Sequence, residues 1–309
     1  MDIDETLVSQ AFSTGVDTIG DAWTFLILRE AFFGATRFQD FVKALNIPRA
    51  RLTERLKHLV ELGVFEKQTI DRSAKRYEYR MGERGLSIYP IALELIAWAE
   101  AWRRPQNAPK LIHTPCGHRL RIKTICRHCS QPVNHKNVSL PHLLPVRSSI
   151  ELNSSVRSWR RMASFDDLSA RPDPALETLK AFGDRWSMLT MYGALRGPFR
   201  FGEAQGLLGL APNILSNRLK HLVNEGLLER TDPSRHASYI ATVSGLALAN
   251  SMFAIRTWAA DTFTPSPEGW APLIHLPCGS DLRTEVVCAS CGERVLPKDV
   301  EYRFPQDVS

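Results

Sequence analysis

One stretch of the sequence decides the fold, and it occurs twice. Residues 20–67 read GDAWTFLILREAFFGATRFQDFVKALNIPRARLTERLKHLVELGVFEK, and residues 183–230 read GDRWSMLTMYGALRGPFRFGEAQGLLGLAPNILSNRLKHLVNEGLLER. Without a gap, 18 of the 48 aligned positions are identical, including Arg-Leu-Lys-His-Leu-Val at 55–60 and 218–223. Chance does not produce this degree of identity within one chain, so the sequence contains an internal duplication.

A second, shorter pattern follows each copy. Residues 113–129 read HTPCGHRLRIKTICRHC and residues 275–291 read HLPCGSDLRTEVVCASC, and together they contain all six cysteines of the chain. Each begins with His-x-x-Cys-Gly and ends with Cys-x-x-Cys, with nine residues between the cysteine of the first motif and the first cysteine of the second. Each half of the chain therefore comprises a domain of about 100 residues and a short cysteine module.

The composition is that of a globular protein. The chain has 309 residues, of which 44% are hydrophobic and 23% charged, and it is long enough for two domains with their own cores. It contains neither a run of 18 apolar residues nor the start of a secretory signal, so we expect a soluble, cytoplasmic protein without a membrane partner. Lys and Arg outnumber Asp and Glu by 39 to 33, which favours a polyanionic partner only weakly.

The hydrophobic periodicity within each copy is mostly that of helices. The predicted elements of the first copy are helices over 21–33, 38–45 and from Pro48 to Gly63, strands over 64–70 and 76–81, and a closing helix over about 86–102. Three helices, a two-stranded wing and a closing helix describe a winged helix-turn-helix domain. We therefore predict a mainly α fold with small β wings (α+β), in which two such domains are each followed by a zinc-ribbon-like module.

The domain boundaries follow from the repeat and from one change in composition. Between the halves lies a segment rich in Ser, Pro and Arg, which is typical of a linker, with one short ordered segment expected around Val156 to Met162. The predicted units are winged domain 1 over 1–104, cysteine module 1 over 105–136, the linker over 137–172, winged domain 2 over 173–265 and cysteine module 2 over 266–305.

Three motifs resemble a known family. Gly-Asp-x-Trp opens one helix, Arg-Phe begins the next, and Leu-Thr/Ser-x-Arg-Leu-x-x-Leu lies in the third. They resemble the HxlR family of bacterial transcriptional regulators, relatives of the MarR proteins. The resemblance implies a sequence-specific regulator of double-stranded DNA, more often a repressor than an activator. Members usually dimerise through their first and last helices, which implies an intramolecular pseudo-dimer on an asymmetric operator, with a homodimer of the chain as the alternative.

The third predicted helix of each copy would read DNA. Its exposed face in the first copy carries arginines, which can bind guanine in the major groove, and the wing carries further cations that can reach the minor groove or the backbone. The candidate DNA-binding residues are Arg37, Arg49, Arg51, Thr53, Glu54, Arg55, Arg72, Lys75 and Arg76 in the first half, and Arg200, Asn213, Ser216, Asn217, Arg218 and Arg235 in the second. The alternative is a solvated basic face without a DNA partner.

The two copies differ on this face. Arg49, Arg51 and Glu54 of the first copy correspond to Pro212, Ile214 and Asn217 of the second, which is therefore less basic. Two arginines are matched in both copies, Arg37 with Arg200 and Arg55 with Arg218. These matched arginines anchor phosphate groups or form intramolecular pairs with Asp or Glu, and the sequence leaves both alternatives open.

The cysteine modules have the composition of zinc sites. Tetrahedral zinc needs four ligands, and each module offers three cysteines and one histidine that both copies share. The predicted ligand sets are His113, Cys116, Cys126 and Cys129 for one structural zinc, and His275, Cys278, Cys288 and Cys291 for the other. His118 and His128 are spare candidates without counterparts, because Ser280 and Ser290 replace them.

The cysteines have alternative uses, and the chain has alternative functions. Disulfides fit poorly because three cysteines per module leave one over. A thiol- or metal-sensing regulator is an alternative, although the sensing cysteine known from some HxlR proteins is replaced here by Gln10 and Asp173. A protein-binding module of the transcription machinery is another. We expect no enzyme, since the sequence lacks a phosphate loop, a nucleophile elbow and a metalloprotease helix.

The sequence does not decide whether the protein binds a small-molecule effector. The aromatic residues Trp98, Phe253 and Trp258 lie on the predicted closing helices and would line a pocket between the halves. The alternative is that they belong to the core, which is the more common use of aromatic residues at helical spacing.

Overall fold

The structure is a computed structural model that describes residues 10–71, 76–106, 108–140, 174–233, 237–263 and 272–304. Within these ranges the fold is mixed, with helices predominating and small sheets between them, which confirms the predicted fold class. The helices described here are all too short or too polar to cross a membrane. The predicted ordered segment from Val156 to Met162 lies outside the described residues.

The first half contains the predicted winged helix-turn-helix. Its elements are α1 (Gln10–Ile19), α2 (Ala22–Phe32), α3 (Phe38–Leu45), α4 (Arg49–Glu61), β1 (Phe65–Asp71), β2 (Arg76–Met81), α5 (Glu83–Leu86) and α6 (Tyr89–Trp102). Helix α4 buries Leu52, Leu56 and Leu59 on one face, as its periodicity predicts. Strands β1 and β2 form an antiparallel hairpin, the wing, in which Phe65 is opposite Met81. The closing helix predicted over about 86–102 is present as α6, which begins three residues later, and the short helix α5 precedes it.

Cysteine module 1 and the second half follow in the same order. Module 1 contains β3 (Lys110–His113), β4 (His118–Arg119), β5 (Ile122–Cys126) and β6 (Val138–Ser139). The second half contains α7 (Pro174–Phe182), α8 (Arg185–Ala194), β7 (Phe199–Arg200), α9 (Phe201–Leu208), α10 (Pro212–Asn224), β8 (Leu228–Arg230), β9 (Ser238–Ala241), α11 (Val243–Leu246), α12 (Ala249–Thr262), β10 (Ile274–His275), β11 (Ser280–Asp281), β12 (Thr284–Cys288) and β13 (Val300–Arg303). Strand β6 lies in the segment predicted to be linker, so ordered structure extends beyond residue 137.

The two halves pack against each other through exchanged helices. Helix α1 of the first half packs on α12 of the second, and α7 of the second half packs on α6 of the first. The indole N–H of Trp98 donates to the carbonyl of Ser244 over 2.8 Å, and that of Trp258 donates to the carbonyl of Arg84 over 3.0 Å. These two bonds occupy equivalent positions of the repeat. The tryptophans and Phe253 are buried in the core, and Trp258 also lines a cavity with Tyr89 of the first half and Thr284 of the second.

Two matched glycines mark a close approach in each half. A Cβ atom on Gly85 would lie 2.4 Å from the carbonyl oxygen of Val64, and one on Gly245 would lie 2.2 Å from that of Leu227. Any side chain there would push α5 or α11 away from the residue that precedes β1 or β8. This steric requirement explains why the Gly-Leu pair recurs in both copies.

The two cysteine modules exchange strands. The central pair is β5 with β12, antiparallel, with Cys126 opposite Thr284 and Ile122 opposite Cys288. Strand β13, at the end of the second module, pairs with β3 of the first, and β6 of the first pairs with β10 of the second. The structure therefore differs from the expectation that each module folds on its own: the two form one intertwined unit.

Candidate DNA-reading heads and metal clusters

We use two names for the candidate DNA-binding units. Reading head 1 consists of α2, α3, α4 and the wing β1–β2, and reading head 2 consists of α8, α9, α10 and the strands β8–β9. In each head an aspartate caps the first helix and contacts an arginine of the third helix, which is α4 in head 1 and α10 in head 2. The two heads therefore share a framework, and they can be compared position by position.

In reading head 1 the framework aspartate is Asp21. Its carboxylate caps α2 by accepting from the backbone N–H of Thr24 over 3.3 Å. The same oxygen lies 2.9 Å from Nε of Arg55, and both side chains are largely buried. Arg55 and Asp21 therefore form an ion pair. The N–H of Nε is not directed at the carboxylate, so this contact is not also a hydrogen bond. The pair fixes α4 against α2.

Reading head 2 repeats this arrangement with more hydrogen bonds. Asp184 caps α8 by accepting from the backbone N–H groups of Trp186 and Ser187 over 3.1 and 3.2 Å. Arg218 donates to the same carboxylate over 3.2 Å. Of the two roles that the sequence left open for Arg55 and Arg218, the intramolecular pair is therefore the one that the structure contains. The aspartate of the Gly-Asp-x-Trp motif is the partner in both heads.

The exposed face of α4 presents the predicted polar side chains. Arg49, Thr53 and Glu54 are exposed, and Arg51 is half-buried. The guanidinium of Arg49 lies 5.9 Å from the centre of the Phe38 ring and donates to the side chain of Gln39 over 3.5 Å. Gln39 is a candidate DNA contact that the sequence analysis missed, because only the tertiary contact between α3 and α4 brings it beside Arg49.

The corresponding face of α10 is less basic. Asn213 and Asn217 are exposed and Ser216 is half-buried, while Pro212 occupies the first position of the helix. The side-chain oxygen of Asn213 accepts from the backbone N–H of Ile214 over 2.9 Å, which restricts its orientation. Reading head 2 thus offers amides and a hydroxyl where reading head 1 offers arginines.

The second pair of matched arginines lies at the start of α3 and α9. Arg37 and Arg200 occupy the N-cap position of these helices, and their backbone N–H groups donate to the carboxylates of Asp40 and Glu203 over 2.9 and 2.7 Å. The side chain of Arg37 is 66% exposed and lies 3.4 Å from Glu78 on the wing. Arg37 is therefore also part of an intramolecular pair, whereas Arg200 is exposed at the surface.

The wing of reading head 1 carries exposed cations. Arg76 is exposed at the start of β2, and Lys67 lies 4.0 Å above the ring of Tyr77. Arg80 donates to Glu78 over 2.9 Å, and this bond holds the pKa of Glu78 below its usual value, with a smaller contribution from Arg37. Of the remaining predicted wing residues, Arg72, Lys75 and Arg235 lie outside the described residues.

Two clusters of cysteine and histidine are the candidate metal sites. Cluster A consists of His113, Cys116, Cys288 and Cys291, and cluster B consists of Cys126, Cys129, His275 and Cys278. All eight predicted ligands are present, but the predicted grouping is wrong. Each cluster combines the His-x-x-Cys motif of one half with the Cys-x-x-Cys motif of the other, because β5 and β12 pair with each other and carry their cysteines across the junction.

The geometry of both clusters fits tetrahedral zinc. The imidazole Nδ1 lies 3.4 and 3.5 Å from the nearest sulfurs in cluster A, and 3.4 Å from two sulfurs in cluster B. The sulfurs of Cys116 and Cys288 are 3.9 Å apart, and those of Cys126 and Cys278 are 4.0 Å apart. Ordinary zinc bond lengths in a tetrahedron require about 3.6 Å between N and S and about 3.8 Å between two sulfurs. Both groups can therefore hold a metal ion.

The local environment also favours metal binding. The two cluster histidines are fully buried, whereas the spare candidates His118 and His128 are exposed and lie outside both clusters. The backbone N–H of Ser280, followed by the His275 side chain, lowers the pKa of the Cys278 thiol to about 6. This shift favours the Cys278 thiolate, which is the form that binds metals. The pKa values of the Cys129 and Cys291 thiols are raised, because burial and the neighbouring cysteines outweigh a backbone hydrogen bond that lowers them.

Comparison with known proteins tests the helix-turn-helix assignment. The model of the HxlR-like helix-turn-helix family matches residues 18–107 and 181–267, which together make up more than half of the chain. The chain belongs to the HxlR-like helix-turn-helix family. Each match contains one complete reading head of this HxlR-like protein, together with the closing helix that follows it.

Relatives of this HxlR-like protein are named as regulators of transcription. The uncharacterized HTH-type transcriptional regulator MT3179 of Mycobacterium tuberculosis (strain CDC 1551 / Oshkosh) is 36% identical over 140 residues, which cover 45% of this chain and 89% of that protein. The uncharacterized HTH-type transcriptional regulator YvaP of Bacillus subtilis (strain 168) is 34% identical over 95 residues, which cover 30% of this chain and 88% of that protein. MT3179 is thus about half as long as this chain.

A solved structure is also similar to part of the chain. The crystal structure of PA1607 has 36% sequence identity and a TM-score of 0.38, and it covers 41% of this chain and 92% of its own. The family and the names of the relatives place this HxlR-like protein among regulators of transcription and not among enzymes.

Proposed function

We propose that this HxlR-like chain is a sequence-specific regulator of double-stranded DNA in which both reading heads act together as an intramolecular pseudo-dimer. The reciprocal packing of α1 on α12 and of α6 on α7 carries the proposal, because it joins two heads as the subunits of a homodimer would be joined. A relative half as long, such as MT3179, would need two chains to present the same pair.

In this proposal α4 and α10 enter the major groove and the wings contact the backbone or the minor groove. Arg49 and Arg51 suit guanine edges, while Asn213 and Asn217 suit adenine. Because the two heads offer different side chains, the operator has two dissimilar half-sites, about one helical turn apart. We expect the protein to repress, as do most proteins that resemble it.

Selection of duplex DNA by the purified chain tests this function. We expect an asymmetric sequence, bound with an affinity that falls steeply as salt is added, because contacts to phosphate release counterions. A perfect palindrome would instead indicate a homodimer of the chain that uses one head per subunit. The absence of any selected sequence and of a salt slope would leave a protein-binding module as the function.

We further propose that clusters A and B bind zinc and that zinc has a structural role. Four protein ligands fill a tetrahedral site and leave no position for a substrate or for water. Elemental analysis of the purified protein should find two zinc ions per chain. A metal-free protein that still binds its operator would contradict this role and would favour the thiol-sensing alternative.

A further inference from the structure

We propose that clusters A and B are clasps between the two halves, and that their loading with metal sets the relative position of the two reading heads. Operator binding would then depend on metal occupancy. The link to DNA rests on the proposed function, whereas the clasp itself does not. Three sets of contacts connect the clusters to the heads.

The first set lies within the clusters. A metal bound in cluster A would link Cys116 of the first half to Cys288 of the second, 172 residues apart along the chain, and one in cluster B would link Cys126 to Cys278 over 152 residues. Links over such long separations remove more conformational freedom from the unfolded chain than links within a module of 17 residues, and they also join the two halves. Each cluster therefore acts as a cross-link between halves.

The second set attaches the exchanged sheet to both closing helices. From α12, Asn250 donates to Thr124 on β5 over 3.1 Å, and Thr124 in turn donates to the carboxylate of Glu94 on α6. The hydroxyl of Thr257 on α12 accepts from the backbone N–H of Thr284 on β12 over 3.1 Å. The sheet that carries the cluster ligands is thus fixed to α6 and α12 at buried positions.

The third set connects the closing helices to the heads. The indole of Trp98 on α6 bonds to the backbone of α11, and that of Trp258 on α12 bonds to the backbone of α5. Helices α5 and α11 directly follow the last strand of each wing. A change in the angle between α6 and α12 would therefore be transmitted to both heads, since each head is held by the closing helix of the other half.

The consequence for DNA binding is one of effective concentration. When the spacing of the two heads matches the operator, binding of the first head places the second at a high effective concentration near its half-site. This gain in affinity is lost when the spacing is no longer fixed. Without metal, the apolar contacts of α1 with α12 and of α6 with α7 still hold the halves together, but less rigidly. We expect the affinity for the complete operator to fall at least about tenfold, with little change for an isolated half-site.

Two matched double variants test the clasp. Cys116→Ser with Cys288→Ser removes two ligands of cluster A alone, so the protein should retain one zinc after dialysis against a chelator. Cys116→Ser with Cys126→Ser removes one ligand from each cluster and should retain none. If each site lay within a single module, the first variant would retain no zinc and the second would retain one. That result, or equal metal content in the two variants, overturns the proposal.

A distance measurement tests the coupling without DNA. Lys57 on α4 and Lys220 on α10 are exposed and equivalent, and non-natural amino acids at these positions accept a fluorophore pair without using cysteine. Removal of zinc by a chelator should broaden the distribution of distances between them, and re-addition should restore it. An unchanged distribution overturns the coupling, and circular dichroism shows whether the helices remain folded.

Binding to the selected operator completes the experiment. Zinc removal should weaken binding to the full operator but not to a single half-site. Equal losses on both duplexes, or no loss on either, overturn the link between metal and DNA. Metal content and the distance between the heads are both measured without DNA. A metal-loaded protein that selects no duplex would therefore refute the proposed function, whereas the clasp would still be tested by those two measurements.

Discussion

The two reading heads share a framework but differ on the face that would contact DNA. Both have an aspartate cap that is paired with an arginine, three buried leucines on the DNA-reading helix, and a glycine that fits against the following strand. The exposed face has changed from Arg49, Arg51 and Glu54 to Pro212, Ile214 and Asn217. After duplication, the residues that determine shape were retained and the residues that would determine specificity diverged. Mutations can test both parts of this comparison.

The framework should show the largest effect. Asp184→Ala removes two cap bonds and leaves Arg218 without its carboxylate, so we expect a loss of about 4 kcal/mol in the free energy of unfolding. Asp21→Ala should cost about 3 kcal/mol, because Asp21 makes one backbone cap bond where Asp184 makes two. Urea denaturation measures both. Losses below about 1 kcal/mol would show that the aspartates are not the shared framework.

Glu94 is a buried acid that has no acidic counterpart in the second half. Burial raises the pKa of Glu94 to about 7, although its bond from Thr124 opposes the shift, whereas the equivalent residue Ala254 carries no charge. The folded state therefore binds more protons than the unfolded state between about pH 4.5 and 7, and stability falls as the pH rises through this range. At pH 8 the loss is about 3 kcal/mol.

Glu94→Gln should remove this dependence. We expect the variant to have a flatter stability profile between pH 5 and 8 than the wild-type protein, as measured by denaturation at several pH values. Glu61→Gln, at an exposed position of α4, is the control and should keep the wild-type profile. Parallel profiles for the wild type and Glu94→Gln would show that Glu94 keeps an ordinary pKa in the fold.

The DNA-reading faces should differ in the base pairs that they select. Arg49→Ala should weaken operator binding by about 2 kcal/mol and relax specificity in one half-site, as expected for the loss of an arginine–guanine contact. Asn213→Ala is the matched change in reading head 2 and should act only on the other half-site, with a smaller effect. Competition binding with point-mutated operators measures this, and equal effects of Arg49→Ala on both half-sites would contradict the asymmetric arrangement.

The wing should show the smallest effect. Arg76→Ala should lower affinity similarly for all sequences and reduce the slope of log affinity against log salt by about 0.9, the value for one phosphate contact. Arg303→Ala on β13 is the control, since this arginine is paired with Glu301 on the exchanged sheet. An unchanged slope for Arg76→Ala would remove the wing from the proposed DNA contact.

The local sequence patterns predicted the helices and the wing of the winged helix-turn-helix well, but they did not predict the contacts between the two halves of the chain. Helices α2, α3 and α4 and the wing lie within one or two residues of their predicted positions, because each has its own apolar periodicity. Helices α1 and α7 were not predicted, and their sequences QAFSTGVDTI and PALETLKAF share little. Both helices bury their apolar faces mainly against the other half. Because their sequences are not repeated, the internal duplication did not reveal them.

The sequence by itself determined that this protein is duplicated, that each half has a winged helix-turn-helix, and which eight side chains form the two cysteine–histidine clusters. Residue type and short spacing are enough for these conclusions, because helices and Cys-x-x-Cys turns are local structures. Only the tertiary structure decided that His113 and Cys116 meet Cys288 and Cys291 instead of the cysteines of their own module. That choice depends on the pairing of β5 with β12 and on the exchange of helices between halves. These contacts join residues more than 70 positions apart, and no local spacing specifies them.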